Sequence, residues 1–387
     1  MFKLIKNADL YTPDAIGVRH LLVAGDRIAW IGKAYPDFAD LPLEDVFDAE
    51  GRPVVPGFVD GHAHTTGGGG EAGYASRVPA PMLSMFVANG VTTVVGLLGT
   101  DDTTRDTAQL LAATRGLRAE GMSAFCYTGG YRVPPVTFTG DVRKDIVNLD
   151  PVIAVGELAI SDHRSSQPTL DELMRVASDA HVAGLMTGKA GIVHLHLGDG
   201  ERGLSMVRDA LDKSELPARV FNPTHCNRND PLFDEALALS ELGCTIDLTA
   251  FPVAEGEPGM TASDGLQRYL EKGLAPDRIT ISSDGGGCLP VFDEQGEILS
   301  ADTASPASLL VALRALIDAG LSLEQSLPAF TKNPATLLRL SGKGSLTVGS
   351  DADLIVLDQN YKADSVMARG QWHRRGGDTL KRGTFEK

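Results

Sequence analysis

Two kinds of hydrophobic pattern divide the chain. Near both ends, apolar and polar residues alternate in short runs that turn residues separate. The clearest runs are 21–24, 27–32, 46–49, 344–357 and 365–370. Such alternation is typical of half-buried β-strands. We therefore expect residues 1–55 and 341–387 to form one small antiparallel β-sandwich domain built from both termini.

The middle of the chain, residues 56–340, follows another rhythm. Short β-branched runs end in polar or glycine residues, and helical stretches follow them near 105–120, 169–183 and 201–213. Strands that alternate with helices imply a parallel sheet, and about eight strands favour a (β/α)8 barrel similar to a TIM barrel. An open doubly wound sheet is the alternative, but it should carry a GxGxxG motif near its first strand, and none is found there.

Composition limits the class of protein. With 387 residues, the chain is longer than one hydrophobic core usually serves, which agrees with two domains. Hydrophobic residues make up 43% and charged residues 22%, as in ordinary soluble enzymes. The net charge of −16 argues against nucleic acid or an anionic membrane as a partner.

The lack of a recognisable targeting signal and the spacing of the cysteines predict a cytoplasmic protein. We find no apolar run of about 18 residues and no apolar core of a signal peptide at the amino terminus. Four cysteines lie far apart without a CxxC pair: Cys126, Cys226, Cys244 and Cys288. This spacing indicates reduced thiols in a cytoplasmic protein rather than a disulfide framework.

Histidines cluster at the predicted ends of strands, where barrel enzymes build their sites. His62 and His64 are two residues apart in a strand, so both point to the same side. His194 and His196 share a face in the same way. The pattern leaves open which of this second pair is a ligand, and His194 could instead be a packing residue.

Three further polar residues follow apolar runs: His225, Asp284 before three glycines, and Glu157 inside a buried-looking strand. Singly, Asp284 could be a turn residue and Glu157 a salt-bridged one. Together with the histidines they offer the ligand types of Zn²⁺ and similar ions. The chemistry expected is metal-assisted hydrolysis, in which Asp284 takes the proton from the attacking water and passes it to the leaving amine.

The remaining histidines lie outside these contexts. We expect His20, His181 and His373 to be structural or exposed, and the sequence gives His163 no clear role.

At this point the chain resembles the amidohydrolase superfamily, and more closely the bacterial isoaspartyl dipeptidases (β-aspartyl peptidases). The likeness spans nearly the whole chain. The HxH motif is common to the superfamily, whereas the glycine-rich and SDHR stretches are more selective. The segments that carry it include PGFVDGHAH at 56–64, GGGGEAG at 67–73, SDHR at 161–164, PTHCNRN at 223–229 and SSDG at 282–285.

The resemblance implies roles for the matching positions. His62, His64, His196, His225 and Asp284 would hold the metal centre. Substrate contacts would come from Glu71 to the free α-amino group, Gly69 and Thr100 to the α-carboxylate, and Arg164 and Arg228 to the carboxylate of the leaving residue. Tyr131 would stabilise the developing oxyanion. Arginine suits bidentate carboxylate binding, a tyrosine hydroxyl suits an oxyanion, and the glycine run 67–70 lets backbone N–H groups face an anion.

Three of these residues also have a purely structural interpretation. Arg164 could pair with Asp162, Glu71 could be a solvated loop charge, and Tyr131 could belong to the core.

Glu157 departs from the family, which has a carboxylated lysine at this position. Lys189 is no substitute, because it precedes the His196 strand. A glutamate can also bridge two cations, so we expect two divalent ions, zinc by preference, bridged by Glu157 without a carboxylated lysine. A site with a single metal ion is the alternative.

Cys288 is a second departure, since the family places a serine there against the substrate's α-carboxylate. A thiol is a weaker hydrogen-bond donor than a hydroxyl, so substrate affinity or preference is expected to differ. A nucleophilic Cys288 has no histidine partner that the sequence identifies.

The functional hypothesis is hydrolysis of β-aspartyl dipeptides to aspartate and an amino acid. The alternatives are another amide or N-acyl-amino-acid hydrolase of the superfamily, and a non-catalytic metal-binding scaffold. The expected partner is a small dipeptide, with neither nucleic acid nor membrane. The resemblance further implies a homo-oligomer, up to an octamer.

Overall fold

The computed structural model describes residues 1–34, 41–253, 257–292 and 298–387. Its strands are β1 (Phe2–Tyr11), β2 (Ala15–Ala24), β3 (Arg27–Gly32), β4 (Leu43–Asp48), β5 (Pro53–Pro56), β6 (Phe58–Ala63), β7 (Val91–Gly96), β8 (Ser123–Thr128), β9 (Val152–Ile160), β10 (Val193–Leu197), β11 (Phe221–Thr224), β12 (Ile246–Thr249), β13 (Ile279–Ser282), β14 (Cys288–Phe292), β15 (Ile298–Thr303), β16 (Leu354–Leu357), β17 (Ala363–Ala368), β18 (Gln371–Arg375) and β19 (Asp378–Thr379).

The helices are α1 (Leu83–Val87), α2 (Thr107–Ala119), α3 (Val142–Asn148), α4 (Leu170–Thr187), α5 (Ser205–Lys213), α6 (Asp230–Glu241), α7 (Ala262–Glu271), α8 (Ser308–Asp318), α9 (Leu323–Ser326) and α10 (Lys332–Leu337). Short 3-10 helices span Tyr74–Ser76, Ala218–Val220 and Leu327–Phe330.

Strands from both termini share one sheet, as the alternating patterns predict. Its path runs β19-β18-β17-β16-β5-β1-β2-β3, with β4 paired to β1. Strand β5 joins the two ends of the chain, because it pairs in parallel with β1 and antiparallel with β16. Buried apolar side chains such as Ile5, Leu21 and Leu354 form the core of this small β domain. The division at residues 55 and 341 remains a prediction.

Eight parallel strands, β6 to β13, build the central barrel. Strands β6 to β11 pair in sequence order, and β12 pairs with β13. Backbone hydrogen bonds join the two groups, from Cys226 N to Asp247 O (3.2 Å) on one side and from Asp284 N to His62 O (3.1 Å) on the other. The expected (β/α)8 barrel is therefore confirmed, and the open doubly wound sheet is excluded.

Helices cover the outside of the barrel. Helix α4 shows why the sequence folds in this way: Thr169 and Glu172 form a reciprocal capping box at its start, and Gly188 ends it with φ 74°. Large apolar side chains such as Phe86, Phe221 and Phe233 fill the layer between strands and helices. The carboxyl ends of all eight strands consequently open on one face, where the polar clusters follow.

Candidate metal centre and substrate pocket

The candidate metal ligands come from five strands of the barrel. His62, Glu157 and His196 lie near the ends of β6, β9 and β10. His64, His225 and Asp284 lie one or two residues beyond β6, β11 and β13. His225 and Asp284 have positive φ values of 58° and 54°, a conformation that residues other than glycine seldom adopt and that is frequent at functional sites.

Glu157 lies at the centre of four imidazoles. Its Oε2 is 3.7 Å from His62 Nε2, 3.2 Å from His196 Nδ1 and 3.6 Å from His225 Nε2. Its Oε1 is 3.6 Å from His64 Nε2. The structure thus brings together four histidines that are distant in sequence, and directs one ring nitrogen of each toward a single carboxylate.

Asp284 adds a second carboxylate to the same cluster. Its Oδ1 lies 3.0 Å from His64 Nε2 and 3.3 Å from His62 Nε2. His62 and His64 therefore do share a face, as their spacing predicts.

The donor set fits divalent cations. Two groups, His62 with His64 and Asp284, and His62 with Glu157 and His225, place their ligand atoms within 4.8 Å of one another. Among the described residues, two buried atoms that face each other in the cluster, His62 Nε2 and Asp284 Oδ1, find no hydrogen-bond partner. Buried polar atoms are normally satisfied, so an imidazole nitrogen and a carboxylate oxygen left open in one place indicate a site for a metal ion.

Charge in the cluster also favours a cation. Burial raises the pKa of Glu157, but His62 and His196 outweigh it and hold this pKa well below its usual value. Burial likewise opposes ionisation of Asp284, and the close imidazoles of His62 and His64 overcome it, so its pKa is lowered. Burial lowers the pKa of His225 to about 3. At neutral pH both carboxylates are therefore anionic and His225 offers a lone pair.

A narrow pocket opens above the cluster, and the predicted substrate residues line it. Its lining includes every predicted substrate residue, namely Gly69, Glu71, Thr100, Tyr131, Arg164, Arg228 and Cys288.

Arg164 and Glu71 form one ionic network in this cavity. The Arg164 guanidinium donates to Asp162 Oδ2 at 2.7 Å and to Glu71 Oε1 at 3.2 Å. Glu71 Oε2 is buried without a hydrogen-bond partner among the described residues. The pairing of Arg164 with Asp162 is real, yet Arg164 still lines the cavity, so the structural and functional interpretations coexist.

Tyr131 is held as a hydrogen-bond donor. Its hydroxyl lies 2.8 Å from His196 Nδ1. His196 Nε2 lies 2.9 Å from Asp162 Oδ2, an acceptor that fixes the proton on Nε2 and leaves a lone pair on Nδ1. Burial and then the charge of Glu157 raise the pKa of Tyr131 well above its usual value, so the hydroxyl keeps its proton at neutral pH.

In the glycine run 67–70, two of the backbone N–H groups that we expected to face an anion bond to the protein instead. The N–H groups of Gly67 and Gly68 donate to the carbonyls of His64 and Gly286, so neither is available to an anion. Gly69 nevertheless needs to be glycine, because its φ is 69° and an added Cβ would lie 2.4 Å from Ser76 O. The run therefore folds the loop tightly against the metal-ligand cluster.

Arg228 and Cys288 complete the wall. Arg228 Nε donates to Leu197 O at 2.8 Å, which anchors the side chain at the rim. Burial, followed by the charge of Glu71, raises the pKa of the Cys288 thiol to about 11. A thiol that keeps its proton at neutral pH is a poor nucleophile.

The other polar residues singled out from the sequence lie outside the metal-ligand cluster. His194 lies beneath the cluster, where its ring contacts His62 and Asn222. His163 pairs at the surface with Asp199 at 2.6 Å. Lys189 Nζ donates to three backbone carbonyls, those of Ile146, Leu149 and Val152, away from the ligand cluster.

Sequence reasoning missed the residues that support the ligands. Asp162 contacts both His196 and Arg164, although it was considered only as a partner of Arg164. Thr249 Oγ1 lies 2.6 Å from His225 Nδ1. Asp60 accepts from the backbone N–H groups of His62 and Ser283, which joins β6 to the segment after β13. Their positions next to strand ends were the available signal, but the contacts depend on the closed barrel.

The fold and the site define a class: the chain belongs to the amidohydrolase family, whose model matches residues 54–373. It is accordingly a hydrolase of amide-type bonds, from a metal-dependent family. Within that class, it is similar to the β-aspartyl dipeptidase of Fervidobacterium islandicum AW-1 in complex with the β-Asp-Leu dipeptide. The two share 42% identity over 100% of both chains, with a TM-score of 0.93.

Two further similarities, one in sequence and one in structure, are more distant. The imidazolonepropionase of Streptomyces griseus is 24% identical, over 87% of this chain and 85% of that protein. The dihydropyrimidinase from Brevibacillus agri NCHU1002 is 16% identical, over 99% of this chain and 97% of its own, with a TM-score of 0.69. In the described part of the chain, every helix is too short or too polar to span a membrane.

Proposed function

We propose that this protein hydrolyses β-aspartyl dipeptides to aspartate and an amino acid. One observation carries the proposal: the cavity over the metal-ligand cluster contains an open carboxylate at Glu71 and two arginines, Arg164 and Arg228. A free amine and more than one carboxylate on a small substrate match this arrangement. The similarity to a β-aspartyl dipeptidase with a bound β-Asp-Leu dipeptide supports the same substrate class.

The metal centre in this proposal holds two divalent ions, with zinc the preferred metal and Glu157 the bridging ligand. His62, His64, His196, His225 and Asp284 would supply the other ligands. The central position of Glu157, within 3.2–3.7 Å of a nitrogen from each histidine, supports a bridging role. Bound divalent ions would lower the pKa of a water molecule and polarise the scissile carbonyl.

The chain's own residues account for the remaining steps. Asp284 would accept the proton of the attacking water and deliver it to the leaving amine. Tyr131, which keeps its proton, would donate a hydrogen bond to the developing oxyanion. Glu71 would bind the α-amino group, and Gly69, Thr100 and Cys288 would contact the α-carboxylate. Arg164 and Arg228 would hold the carboxylate of the leaving residue.

Substrate comparison tests the proposal. Metal-replete protein should cleave β-Asp-Leu, and should cleave N-acetyl-aspartate and cyclic ureides at least about 100-fold more slowly, since those lack one or more groups that Glu71 and the arginines bind. Faster cleavage of N-acetyl-aspartate would favour the N-acyl-amino-acid hydrolase. Metal-replete protein without turnover of any of these would favour the scaffold, although the joint presence of Asp284 and the ligand cluster speaks against it.

Bicarbonate tests the bridging ligand. Glu157 is a carboxylate without added CO₂, so activity restored by metal to the metal-free protein should be independent of bicarbonate. Reconstitution should be followed with zinc at several bicarbonate concentrations, together with the bound metal per chain. A steep rise with bicarbonate would contradict the role of Glu157, and one bound ion at full activity would favour the single-metal alternative.

A further inference from the structure

Three hydrogen bonds run in series beneath the metal-ligand cluster. His62 Nδ1 lies 2.8 Å from His194 Nε2, and His194 Nδ1 lies 2.7 Å from Asn222 Oδ1. Asn222 Nδ2 then donates to the backbone carbonyl of Thr245 at 2.7 Å. His62, His194 and Asn222 are all buried, at 0–2% exposure. The series crosses the barrel interior from β6 through β10 and β11 to the residue before β12.

The far end of this series fixes the direction of every bond. A backbone carbonyl can only accept, so the Asn222 amide must turn its NH₂ group to Thr245 and its oxygen to His194. That oxygen accepts from His194 Nδ1–H. In a neutral imidazole the other nitrogen then bears the lone pair, so His194 Nε2 accepts from His62 Nδ1–H.

The near end of the series faces the cluster. With its proton on Nδ1, a neutral His62 presents the lone pair of Nε2 to Asp284 Oδ1 at 3.3 Å and Glu157 Oε2 at 3.7 Å. A lone pair directed at two carboxylate oxygens is favourable only when a cation lies among them. The tautomer set by Asn222 is therefore the one that a metal ion requires of His62.

Neighbouring groups prevent His194 from leaving this position. The Tyr127 ring stacks on the His194 ring, with centroids 5.2 Å apart and an interplanar angle of 23°. The Tyr127 hydroxyl in turn donates to Gly61 O at 2.9 Å, next to His62. His194 contributes no atom to either ligand group of the cluster.

We infer that His194, backed by Asn222, is a positioning residue that holds His62 in the tautomer able to bind metal and thereby sets the metal affinity of the site. The inference rests on the metal centre of the proposed function and is independent of the substrate. Partners that orient a ligating histidine typically change metal affinity by about 10–100-fold.

The test compares two variants of His194. His194→Leu removes the acceptor for His62 Nδ1–H, whereas His194→Gln can retain one in its amide oxygen. Zinc dissociation constants, measured by competition with a chromophoric chelator in the absence of substrate, should rise about 10–100-fold for His194→Leu and about threefold or less for His194→Gln. His373→Leu, which removes a buried histidine of the small β domain, is the matched control and should leave the constant unchanged.

Asn222 provides a second pair that decides the matter if His194→Leu does not fold. Asn222→Leu removes the acceptor for His194, while Asn222→Asp keeps it but replaces the donor to Thr245 with a carboxylate oxygen that faces the same carbonyl. Zinc affinity should fall for Asn222→Leu and hold for Asn222→Asp. Equal losses within each pair would show a packing role and overturn the inference, as would unchanged affinity in all four variants. Absent dipeptide turnover would sink the proposed function without touching this result.

Discussion

Two buried carboxylates in the barrel, Asp247 and Glu157, occupy similar positions and have opposite surroundings. Both lie on barrel strands with 3% and 1% exposure. Asp247 accepts hydrogen bonds of 2.6–2.7 Å from the hydroxyls of Thr224, Thr280 and Ser282. Glu157 faces imidazole nitrogens instead. Hydroxyls can satisfy a carboxylate fully, whereas imidazole lone pairs cannot, so only the second arrangement leaves room for a cation.

The pKa values of the two groups record this difference. Burial is the largest single influence on both groups, and taken alone it would raise the pKa of each. At Asp247 the hydroxyl hydrogen bonds do not offset it, and the pKa stays above its usual value. At Glu157 the nearby imidazoles of His62 and His196 overcome it, and the pKa falls well below its usual value. Burial of an acid is thus no sign of function by itself, and its partners decide what the acid does.

Asp284→Asn should produce the largest effect. The carboxamide cannot take a proton from water, so kcat on β-Asp-Leu should fall by about 10³-fold or more, toward the upper range for loss of a general base. The four histidines and Glu157 remain, so most of the metal should stay bound. Steady-state kinetics and elemental analysis of the same preparation measure both. Unchanged turnover would remove Asp284 from the mechanism.

Glu71→Gln should reduce kcat/KM for β-Asp-Leu by about 10–100-fold, because a hydrogen bond to the charged α-amine contributes roughly 1.5–3 kcal/mol. Succinyl-leucine, which lacks that amine, is the matched substrate and should be cleaved at similar rates by both proteins. Kinetics with the two substrates separate recognition from structure. An equal loss on both would mean that Glu71 acts by orienting Arg164, its partner at 3.2 Å.

Much of the fold followed from local pattern. The alternating runs at both termini, and the strand-helix rhythm between them, depend on neighbours in sequence, so they predicted the shared β sheet and the barrel. Helix bounds moved by a few residues: α5, for example, begins at Ser205 rather than near 201.

The site was predictable to a lesser depth. The alternation of side chains along a strand placed His194 and His196 on one face but did not show which of them is a metal ligand. In the barrel they differ in depth by about 6.6 Å, two residues of strand rise, so His196 meets the cluster while His194 lies below it. Asp162, Thr249 and Asn222 act through contacts between strands that only barrel closure creates, and no spacing within one segment could reveal them.

Asp247→Asn tests the structural side of the comparison. The substitution places an amide NH₂ group where a carboxylate oxygen accepts hydrogen bonds from hydroxyl groups. The free energy of unfolding should therefore fall by about 1–3 kcal/mol. Because Asp247 contacts none of the candidate substrate residues, kcat and bound metal should remain within about threefold of the parent. Chemical denaturation, kinetics and elemental analysis check these outcomes. Loss of metal with unchanged stability would reverse the roles assigned to the two kinds of carboxylate.

Cys288→Ser should have the smallest effect. It tests whether the hydrogen-bonding strength of this side chain, rather than its position at the rim of the pocket, determines substrate binding. Cys288 lies beside Gly69, because a Cβ added to Gly69 would lie 3.3 Å from the Cβ of Cys288. A hydroxyl donates a stronger hydrogen bond than a thiol, so KM for β-Asp-Leu should fall about twofold to tenfold with kcat unchanged. Cys288→Ala, without a donor, should raise KM. If Ser and Ala both abolished turnover, Cys288 would be a nucleophile, against its raised thiol pKa of about 11.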